Sequence, residues 1–406
     1  MRSLLAALAL LLAAAPAAAA ADMTAAFHLW LERQVWPRAR AAGIPRPLFD
    51  KGLMGLSPRL DLPDIVLPGR ASVPRRQRQS EFASPARYFN PRSLKLLSAR
   101  GRGLMRRHRR LLARIERRFG VPGAIVLAIW ARESAYGAAK IPHDALRILA
   151  TQAWLGRRKE KFRKELLAAL DILRREHIAP RALKSSWAGA LGQPQMMPTD
   201  YLEHAVDFDG DSRRDIWNST ADVLASIANH LKAHGWKPGI GWGFEVSLPA
   251  AVPCHLEGPD RRRSLDAWLK MGVKPVHGRP PRWARKTGLS LLLPAGRYGP
   301  AFLVSRNFYV LKAYNFSDLY ALFVGHLGER IAGSTKGFSA PWRPISAMLR
   351  SDIARMQRAL EKAGHDVGGA DGLPGFRTRR SIGLWQAARG QRPTCFPTPA
   401  LLARFR

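Results

Sequence analysis

A long apolar run near the middle of the chain carries a single carboxylate close to its end. The run reads VPGAIVLAIWARESAYG, from Val121 to Gly137, and its carboxylate is Glu133. A proline at the start and a continuous apolar pattern predict a helix that is buried over most of its surface. Gly137 is the predicted C-terminal cap of this helix. A chain of 406 residues is long enough to bury such a helix in one large core or in two smaller ones.

Glu133 has two interpretations at this stage. The apolar residues of the predicted helix include Ile125, Val126, Ile129 and Trp130. Burial disfavours the charged form of a carboxyl, so we expect its pKa to rise, which suits a general acid that works near neutral pH. The alternative is an ordinary surface ion pair with the neighbouring Arg132.

The rest of the chain predicts a mainly helical α+β fold with a small antiparallel β insertion. Helical spacing of apolar residues continues on both sides of the central run, whereas alternating and β-branched residues between Gly and Pro indicate strands over 236–312. The predicted helices lie at 24–45, within 93–120, and at 143–155, 158–176, 219–234 and Ser317–Ile331.

The first residues predict export. MRSLLAALALLLAAAPAAAAADM has an arginine, a short apolar run and small residues suited to cleavage, so 1–21 is expected to be a secretory signal peptide and the protein to be periplasmic. The run is too short to span a bilayer, and no transmembrane segment is expected. The expected domains are 22–333, a linker at 334–349, and a C-terminal unit of three helices at 350–406.

Charge and cysteine content restrict the partners and the covalent links. The 66 Lys and Arg against 30 Asp and Glu give a net charge of +36, which indicates an acidic polymer as partner, or else an arginine-rich chain with solvated faces. A nucleic-acid partner is not expected, because no recognition motif accompanies the charge. Cys254 and Cys395 could form one disulfide in an oxidising compartment, or remain two inert thiols.

The segment SSWAGALGQPQMMPTDY, 185–201, combines small residues with side-chain amides. Gly189, Ala190 and Gly192 would let the backbone approach a ligand closely, and the amides of Gln193 and Gln195 can hydrogen-bond a polar substrate such as a sugar. The alternative is a tight loop without a ligand.

The run DFDGDSRRDIWNS has the oxygen spacing of an EF-hand calcium loop. Position 6 is Ser212 where Gly is usual, and position 12 is a neutral Asn, so the expected affinity is reduced. The alternative is a solvated acidic turn. The predicted ligands at positions 1, 3, 5, 7, 9 and 12 are Asp207, Asp209, Asp211, the carbonyl of Arg213, Asp215 and Asn218.

Four separated motifs, in consistent order between about Glu81 and Gly333, carry a resemblance to a known family. ESAYG, AGALGQPQMMPTDY, DFDGDSRRDIWNS and NFYVLKAYNFSDLYAL together resemble the membrane-bound lytic murein transglycosylase B family and its soluble relatives. The resemblance implies a lysozyme-like fold that cleaves the N-acetylmuramic acid to N-acetylglucosamine bond of peptidoglycan and leaves a 1,6-anhydromuramoyl end. It implies no cofactor for the chemistry and favours a structural Ca²⁺ in the acidic loop.

The resemblance also implies roles for individual residues. Glu133 would act as both acid and base, in keeping with the absence of a second acidic residue in a comparable apolar or Gly-rich setting. The tyrosines have an alternative reading as core residues. The implied substrate-binding residues are Ser186 and Gln195 beside the acid, Arg157 and Arg158 facing substrate carboxylates, and Tyr314, Asn315 and Tyr320 on the far wall of the cleft.

The tail IARMQRALEKAGHDVGGADGLPGFRTRRSIGLWQAARG, 353–390, resembles a peptidoglycan-binding domain 1 repeat. The expected partners are therefore glycan strands of peptidoglycan, with wall-synthesis complexes as further candidates, and the expected state is a monomer. Three alternatives to the lytic enzyme stay open: a muramidase-type hydrolase, a noncatalytic wall-binding scaffold, and a nucleic-acid binder.

Overall fold

A computed structural model describes residues 23–67, 85–176 and 178–405. The predicted signal peptide lies outside the described residues. The described residues divide into two compact units: unit 1 is formed by those within 1–73 and 133–230, and unit 2 by those within 74–132 and 231–406. In the part of the chain that the structure describes, no helix has both the length and the apolar character needed to cross a membrane.

The described chain is mainly helical, as the sequence predicts. A helical stretch, 23–30, leads through a π-turn at Leu31–Val35 into the first α-helix. The α-helices are, in chain order, α1 (Trp36–Ala41), α2 (Arg46–Phe49), α3 (Pro91–Arg107), α4 (Arg109–Phe119), α5 (Gly123–Ser134), α6 (Ala145–Leu155), α7 (Lys159–Glu176), α8 (Pro198–His204), α9 (Thr220–Ala233), α10 (Leu265–Lys270), α11 (Arg306–Asn315), α12 (Asp318–Ile331), α13 (Arg350–Lys362), α14 (Phe376–Ala387) and α15 (Pro399–Leu402).

The strands form two small antiparallel sheets. One is the pair β1 (His143–Asp144) and β2 (Lys184–Ser185), and the other has the order β4-β3-β6-β5. In the larger sheet, Gly243 lies opposite Val304 and Leu291 opposite Leu303. Its strands are β3 (Gly243–Ser247), β4 (Lys274–Pro275), β5 (Ser290–Leu292) and β6 (Ala301–Val304).

The core of unit 1 is built around the helix pair α6 and α7. Leu146, Leu149, Leu166 and Leu170 are fully buried in one apolar cluster that also contains residues of 27–53 and the ring of Tyr201. Asp144 caps the start of α6, because its Oδ1 accepts a hydrogen bond from the backbone N of Arg147 at 3.0 Å. The predicted helices 143–155 and 158–176 thus correspond to α6 and α7, and this pair supports the segments that follow.

The sheet of unit 2 packs on an apolar cluster that reaches into the tail of the chain. The cluster contains Val246, Trp268, Leu303 and both cysteines. Cys254 and Cys395 form a disulfide, with their Cα atoms 6.1 Å apart. The structure therefore has the disulfide and not the two separate thiols that were the alternative.

A buried arginine of the tail holds two carboxylates of unit 2. The guanidinium of Arg379, in α14, donates to Glu257 Oε1 and Oε2 at 2.5 and 3.0 Å and to Asp318 Oδ2 at 2.9 Å. Burial would raise the pKa of Asp318, but Lys312 and Arg379 outweigh it and hold this pKa below its usual range. Asp318 is the first residue of α12, so this network fixes the start of that helix.

Replacing Arg379 by methionine should destabilise the protein strongly. The change leaves the carboxylate of Glu257, which is 0% exposed, without its guanidinium partner. Breaking a buried pair in this way costs about 3–5 kcal/mol, whereas a surface change stays within about 0.5 kcal/mol. The measurement is thermal and urea unfolding of the Arg379→Met variant, with Arg377→Met, whose side chain is 53% exposed, as the matched control. Equal losses in the two variants would contradict the structural role of Arg379.

Candidate active site

Glu133 is the second-last residue of α5, on a helix that the protein buries almost completely. Val126 and Ile129 are 0% exposed and Trp130 is 5% exposed, whereas Glu133 itself is half-buried. The guanidinium of the adjacent Arg132 lies over the rings of Tyr88 and Phe323, 4.8 and 5.3 Å from their centroids. Arg132 therefore has aromatic contacts within unit 2 in addition to its place beside Glu133.

The end of α5 differs from the predicted cap. The helix stops at Ser134, and three successive residues, Ala135, Tyr136 and Gly137, have φ angles of 50°, 59° and 77°. Ser134 Oγ accepts a hydrogen bond from the backbone N of Gly137 at 3.1 Å, and Ser134 O accepts one from Ala139 N at 2.9 Å. Left-handed residues other than glycine cost about 1–2 kcal/mol each, so the surrounding contacts must hold this turn. A single-glycine cap was therefore the wrong prediction, since two non-glycine residues already leave the helix before Gly137.

Gln193 lies directly against this turn. A Cβ atom on Gly137 would stand 2.4 Å from Gln193 Oε1, so only glycine allows this approach. Gln193 Nε2 donates to Trp217 O at 2.6 Å, and its backbone N donates to Ile216 O at 2.9 Å. The predicted substrate amide of Gln193 is therefore engaged within the protein, where it joins the end of α5 to residues 216–217.

The small residues of the 185–201 segment serve packing against the protein. A Cβ on Gly189 would lie 2.5 Å from Leu149 Cδ2, and one on Gly192 would lie 2.6 Å from Ile216. The sequence prediction assigned this close backbone approach to a ligand. In the structure the partners are core residues, because the segment is pressed onto α6 and onto the chain after the acidic loop.

Ser186 and Gln195 are both half-buried on this segment. Ser186 Oγ accepts a hydrogen bond from Ala190 N at 3.3 Å, and Gln195 Nε2 donates to Gly192 O at 2.9 Å. Gln195 also has a φ of 56°, an uncommon conformation for a residue with a side chain. Both side chains are thereby fixed by short local contacts, and both keep some surface open to solvent.

Trp187 is a candidate that the sequence analysis missed. Its side chain is 47% exposed although it directly follows Ser186. An exposed indole beside polar groups can stack on the apolar face of a sugar ring. The signal was present in the motif SSWAGALG, but an aromatic residue between small residues gives no indication of which way it points.

Arg157 and Arg158 are exposed at the start of α7. Arg158 Nη2 lies 3.8 Å from Asp64 Oδ2, with its guanidinium 60% exposed and 5.6 Å from the ring centroid of Phe162. The backbone N of Arg157 donates to Asp64 O at 3.3 Å. An exposed ion pair of this length is weak, so the guanidinium of Arg158 can exchange Asp64 for an anionic ligand at little cost.

The expectation that Glu133 has no counterpart in an apolar setting needs correction. Glu165, in α7, is 4% exposed, and burial raises the pKa of its carboxyl. Its oxygens accept hydrogen bonds from Thr199 N and Oγ1, each at 3.0 Å. Glu165 thus holds the start of α8, a structural task that the sequence pattern of α7 did not reveal.

The remaining predicted wall residues lie at the corner between α11 and α12 in unit 2. The rings of Tyr314 and Tyr320 stack with centroids 6.2 Å apart, and Tyr320 is 1% exposed while Tyr314 is half-buried. Tyr320 therefore supports the ring of Tyr314 from the core, in line with the alternative reading of this residue. Asn315 is exposed, and the next residue, Phe316, is 82% exposed with a φ of 57°.

The acidic loop brings three of its predicted ligands together. Carboxylate oxygens of Asp207, Asp209 and Asp211 lie within 4.8 Å of one another. Asp215 Oδ1 instead accepts hydrogen bonds from Trp217 N and Asn218 N at 2.9 Å, and Asn218 Nδ2 donates back to Asp215. Positions 9 and 12 are thus engaged with each other, and the arrangement supplies an oxygen-rich half of a cation site.

The main chain of this loop is held by carboxylates as well. Asp207 Oδ1 and Oδ2 accept from Gly210 N and Ser212 N at 2.7 and 2.9 Å, and Asp209 Oδ2 accepts from Ser219 Oγ at 2.5 Å. Ser212, which stands where an EF-hand has glycine, has a φ of 68°. The serine therefore adopts the turn that the missing glycine would provide.

Comparison with known proteins identifies the class of protein. Residues 26–329 match the family described as "Transglycosylase SLT domain", and the chain belongs to this family. It is similar to the membrane-bound lytic murein transglycosylase B of Escherichia coli strain K12, with 33% identity over 215 residues. That match covers 53% of this chain and 58% of the relative, so it spans less than two thirds of the relative's length. The predicted membership in the lytic murein transglycosylase B family is confirmed.

Two solved structures are similar to this chain, one over 94% of its length and the other over 63%. SltB3 of Pseudomonas aeruginosa in complex with NAG-NAM-pentapeptide matches with a TM-score of 0.82 and 39% identity, covering 94% of this chain and 99% of that one. Slt35 of Escherichia coli in complex with calcium matches with a TM-score of 0.52 and 31% identity, covering 63% and 80%. The predicted lysozyme-like, mainly helical fold is therefore confirmed.

Replacing Gly137 by alanine should displace the turn after Glu133. The new Cβ would meet Gln193 Oε1 in addition to the cost of a φ of 77°. We expect a loss of about 2–4 kcal/mol in unfolding free energy, the sum of overpacking and the left-handed backbone.

Gly43→Ala is the matched control for this prediction. Gly43 has nearly the same φ, 76°, but nothing within 4 Å of the added Cβ, so it carries the backbone cost alone. Equal losses of stability in the two variants, measured by urea unfolding, would show that the contact with Gln193 contributes nothing.

Proposed function

We propose that the protein is a peptidoglycan lytic transglycosylase that cleaves the MurNAc-β-1,4-GlcNAc bond and forms 1,6-anhydromuramoyl ends. The observation that carries this proposal is the similarity to SltB3 over 94% of the chain, because SltB3 structures contain NAG-NAM-pentapeptide and NAG-anhNAM-pentapeptide. The second of these ligands has the anhydro end that distinguishes a lytic product from a hydrolytic one.

Glu133 is the proposed acid and base. Its carboxyl donates a proton to the glycosidic oxygen as the bond from C1 to that oxygen breaks, and the resulting carboxylate then takes the proton of the muramoyl C6 hydroxyl. The C6 oxygen attacks C1 of the same sugar, so no water is consumed and Glu133 ends protonated as it began. The left-handed turn at 135–137 supports this assignment, because it fixes the group that must act in both steps.

Apart from Trp187 and Tyr320, the proposed substrate-binding residues have the roles that the family resemblance implies. In unit 1, Ser186 and Gln195 offer hydrogen bonds to sugar hydroxyl and acetamido groups, Trp187 offers a stacking face, and the exposed Arg157 and Arg158 suit substrate carboxylates. In unit 2, Tyr314 and the exposed Asn315 are the proposed wall residues, with Tyr320 as the support of Tyr314.

The tail and the location of the protein belong to the same proposal. A wall-binding tail at 350–406 would raise the effective concentration of glycan strands, and a signal peptide at 1–21 would deliver the protein to the periplasm, where the strands lie. A monomer is proposed, with wall-synthesis complexes as further partners. The disulfide between Cys254 and Cys395 is compatible with an oxidising compartment.

A structural Ca²⁺ in the acidic loop is a further part of the proposal. The residues fit such an ion in part, because Asp207, Asp209 and Asp211 supply hard oxygen ligands from one loop. They would hold the ion together with the carbonyl of Arg213, and Slt35 was solved in complex with calcium. The ion would offset the repulsion of the three carboxylates and pin the loop that precedes Ile216 and Trp217.

Replacing Glu133 by glutamine should abolish glycan cleavage while the fold and wall binding persist. Glutamine has the same shape but cannot donate and retrieve a proton, and general acid–base catalysis contributes about 10²–10⁴-fold. The measurement is mass spectrometry of the products released from purified sacculi, with Glu160→Gln, an exposed glutamate, as the control.

The product masses separate the candidate activities. Anhydro ends are lighter than hydrolytic ends by the mass of one water molecule. Release of only the heavier products by the wild type would show hydrolysis and exclude the lytic reaction. Unchanged release by Glu133→Gln would remove the enzymatic role of this residue. Wall binding without any release by the wild type would leave only the scaffold function.

Calcium should raise the melting temperature through the acidic loop. At a concentration about 100-fold above Kd, a bound ion contributes about 2.7 kcal/mol to stability. Asp211→Asn keeps the acceptor for the backbone N of Arg213 but removes one charge, so we expect a smaller calcium shift in differential scanning calorimetry. Asp266→Asn, at a side chain 61% exposed, should respond like the wild type. A shift of the same size in the Asp211 and Asp266 variants would place the ion elsewhere.

A further inference from the structure

Unit 2 contains a cavity that none of the roles described above uses. Its volume is about 430 Å³, and its walls come from β3, β6, the chain after β4, the second half of α12 and the segment 334–338. Trp242, Phe302 and Phe338 supply aromatic surface, while Glu329, Arg279 and Lys336 supply charge. This combination suits a small ligand with an aliphatic body and charged ends.

The carboxyl of Glu329 has one hydrogen-bond donor and one open oxygen. Its Oε1 accepts from Trp242 Nε1 at 3.1 Å, and among the residues that the structure describes no donor reaches Oε2. Glu329 keeps accessible surface, yet enough protein surrounds its carboxyl that burial raises its pKa to about 7. Glu329 is an exposed residue that lines the cavity, and a cation that binds its open oxygen would replace water there.

The second carboxylate of the cavity is already satisfied. Glu245 is 6% exposed and accepts hydrogen bonds from Ser339 N at 2.8 Å and Ala340 N at 2.9 Å. His277 Nε2 lies 3.6 Å from Glu245 Oε2. Glu329 is therefore the acidic group that remains available to a ligand.

The cations of the cavity are exposed, as Glu329 is. Arg279 and Lys336 are both exposed, and Lys336 Nζ is 3.4 Å from the carbonyl of His277. His326, one turn before Glu329 on α12, is 4% exposed, and burial next to Arg330 lowers its pKa to about 4, so it stays neutral. The cavity thus offers an acid with one open oxygen, aromatic walls and two exposed cations.

From this arrangement we propose that the cavity binds an α-amino acid end group, with its ammonium on Glu329 and its carboxylate on Lys336 and Arg279. Aromatic rings beside a carboxylate favour an alkylammonium, and two cations suit the carboxylate of the same zwitterion. Such an end group occurs on the diamino acid of wall peptides and in the free amino acid. The inference does not depend on the proposed function, because binding is measured without glycan cleavage.

The test is calorimetric titration of the full-length mature protein with three seven-carbon or five-carbon probes. Diaminopimelate has both charged groups, pimelate lacks the amines, and 1,5-diaminopentane lacks the carboxylates. We expect diaminopimelate to bind, 1,5-diaminopentane to bind more weakly, and pimelate not to bind. The proposal would be overturned if the wild-type protein did not bind diaminopimelate at millimolar concentration, or if it bound pimelate with equal affinity.

The pH dependence identifies Glu329. If an ammonium binds the ionised carboxyl, affinity should rise about tenfold between pH 6 and pH 8, because ionisation of a group with a pKa near 7 is nearly complete at the upper end. The other titratable or charged groups around Glu329 are the cavity-lining Glu245, His277, Arg279, His326 and Lys336, and Arg330, which follows Glu329 on α12. Glu329→Gln keeps the acceptor for Trp242 Nε1 but cannot become charged, so we expect at least tenfold weaker binding without this rise, and a rise that persists would overturn the role of Glu329.

Two further variants complete the experiment. Lys336→Met should weaken the binding of diaminopimelate but leave the affinity for 1,5-diaminopentane unchanged, because only diaminopimelate has carboxylates. Glu361→Gln, at an exposed position of α13, is the control and should bind all probes like the wild type. A tripeptide that ends in diaminopimelate distinguishes the sources: equal or tighter binding assigns the wall peptide, and failure to bind assigns the free amino acid. Wild-type affinity in Glu329→Gln would end the proposal.

Discussion

The turn that follows Glu133 is the constraint on which the candidate active site depends. Three successive left-handed residues stop α5 and bring Gly137 into contact with the amide of Gln193. That amide donates to Trp217 O, next to the chain that leaves the acidic loop. A strained backbone persists only where contacts with its neighbours hold it in place. Here those neighbours are the 185–201 segment and the end of the acidic loop. The position of one carboxyl thus depends on a turn that is held by a neutral side-chain amide and by main-chain groups.

Much of the fold could be predicted because apolar spacing reports directly on burial. The predicted helices at 143–155 and 158–176 differ from α6 and α7 by two residues or fewer at their ends, and the alternating segment contains the larger sheet. The packing of particular side chains could not be predicted. Gly189 and Gly192 signal a close approach, but only the fold shows that the partners are Leu149 and Ile216. The exposure of Trp187 could not be predicted either, because exposure is a property of the tertiary structure. The same holds for Arg379, whose buried partner Glu257 is 122 positions away in the sequence.

The candidate site residues also include some that the sequence indicated and some whose contacts only the structure shows. The motif indicated Glu133, Ser186 and Gln195 by type and order, and all three retain accessible surface. Gln193 and Tyr320 match the same pattern, yet one amide is used by the protein and one ring is in the core. A motif therefore identifies the neighbourhood of the chemistry, because residues that position a site recur in the pattern together with residues that touch the ligand.

Two carboxyls near opposite ends of α12 lie in different electrostatic surroundings. Asp318 stands at the N-terminus, where the helix dipole favours a negative charge, and it has both Lys312 and Arg379 as partners. Glu329 stands near the C-terminus, where the dipole disfavours a negative charge, and its carboxyl accepts a hydrogen bond from the neutral indole of Trp242. The first arrangement stabilises the protein whether or not a ligand is present. The second leaves an acid that has Lys336 as a nearby positive charge but no ion pair among the described residues, so a cation from outside is the group that would complete it.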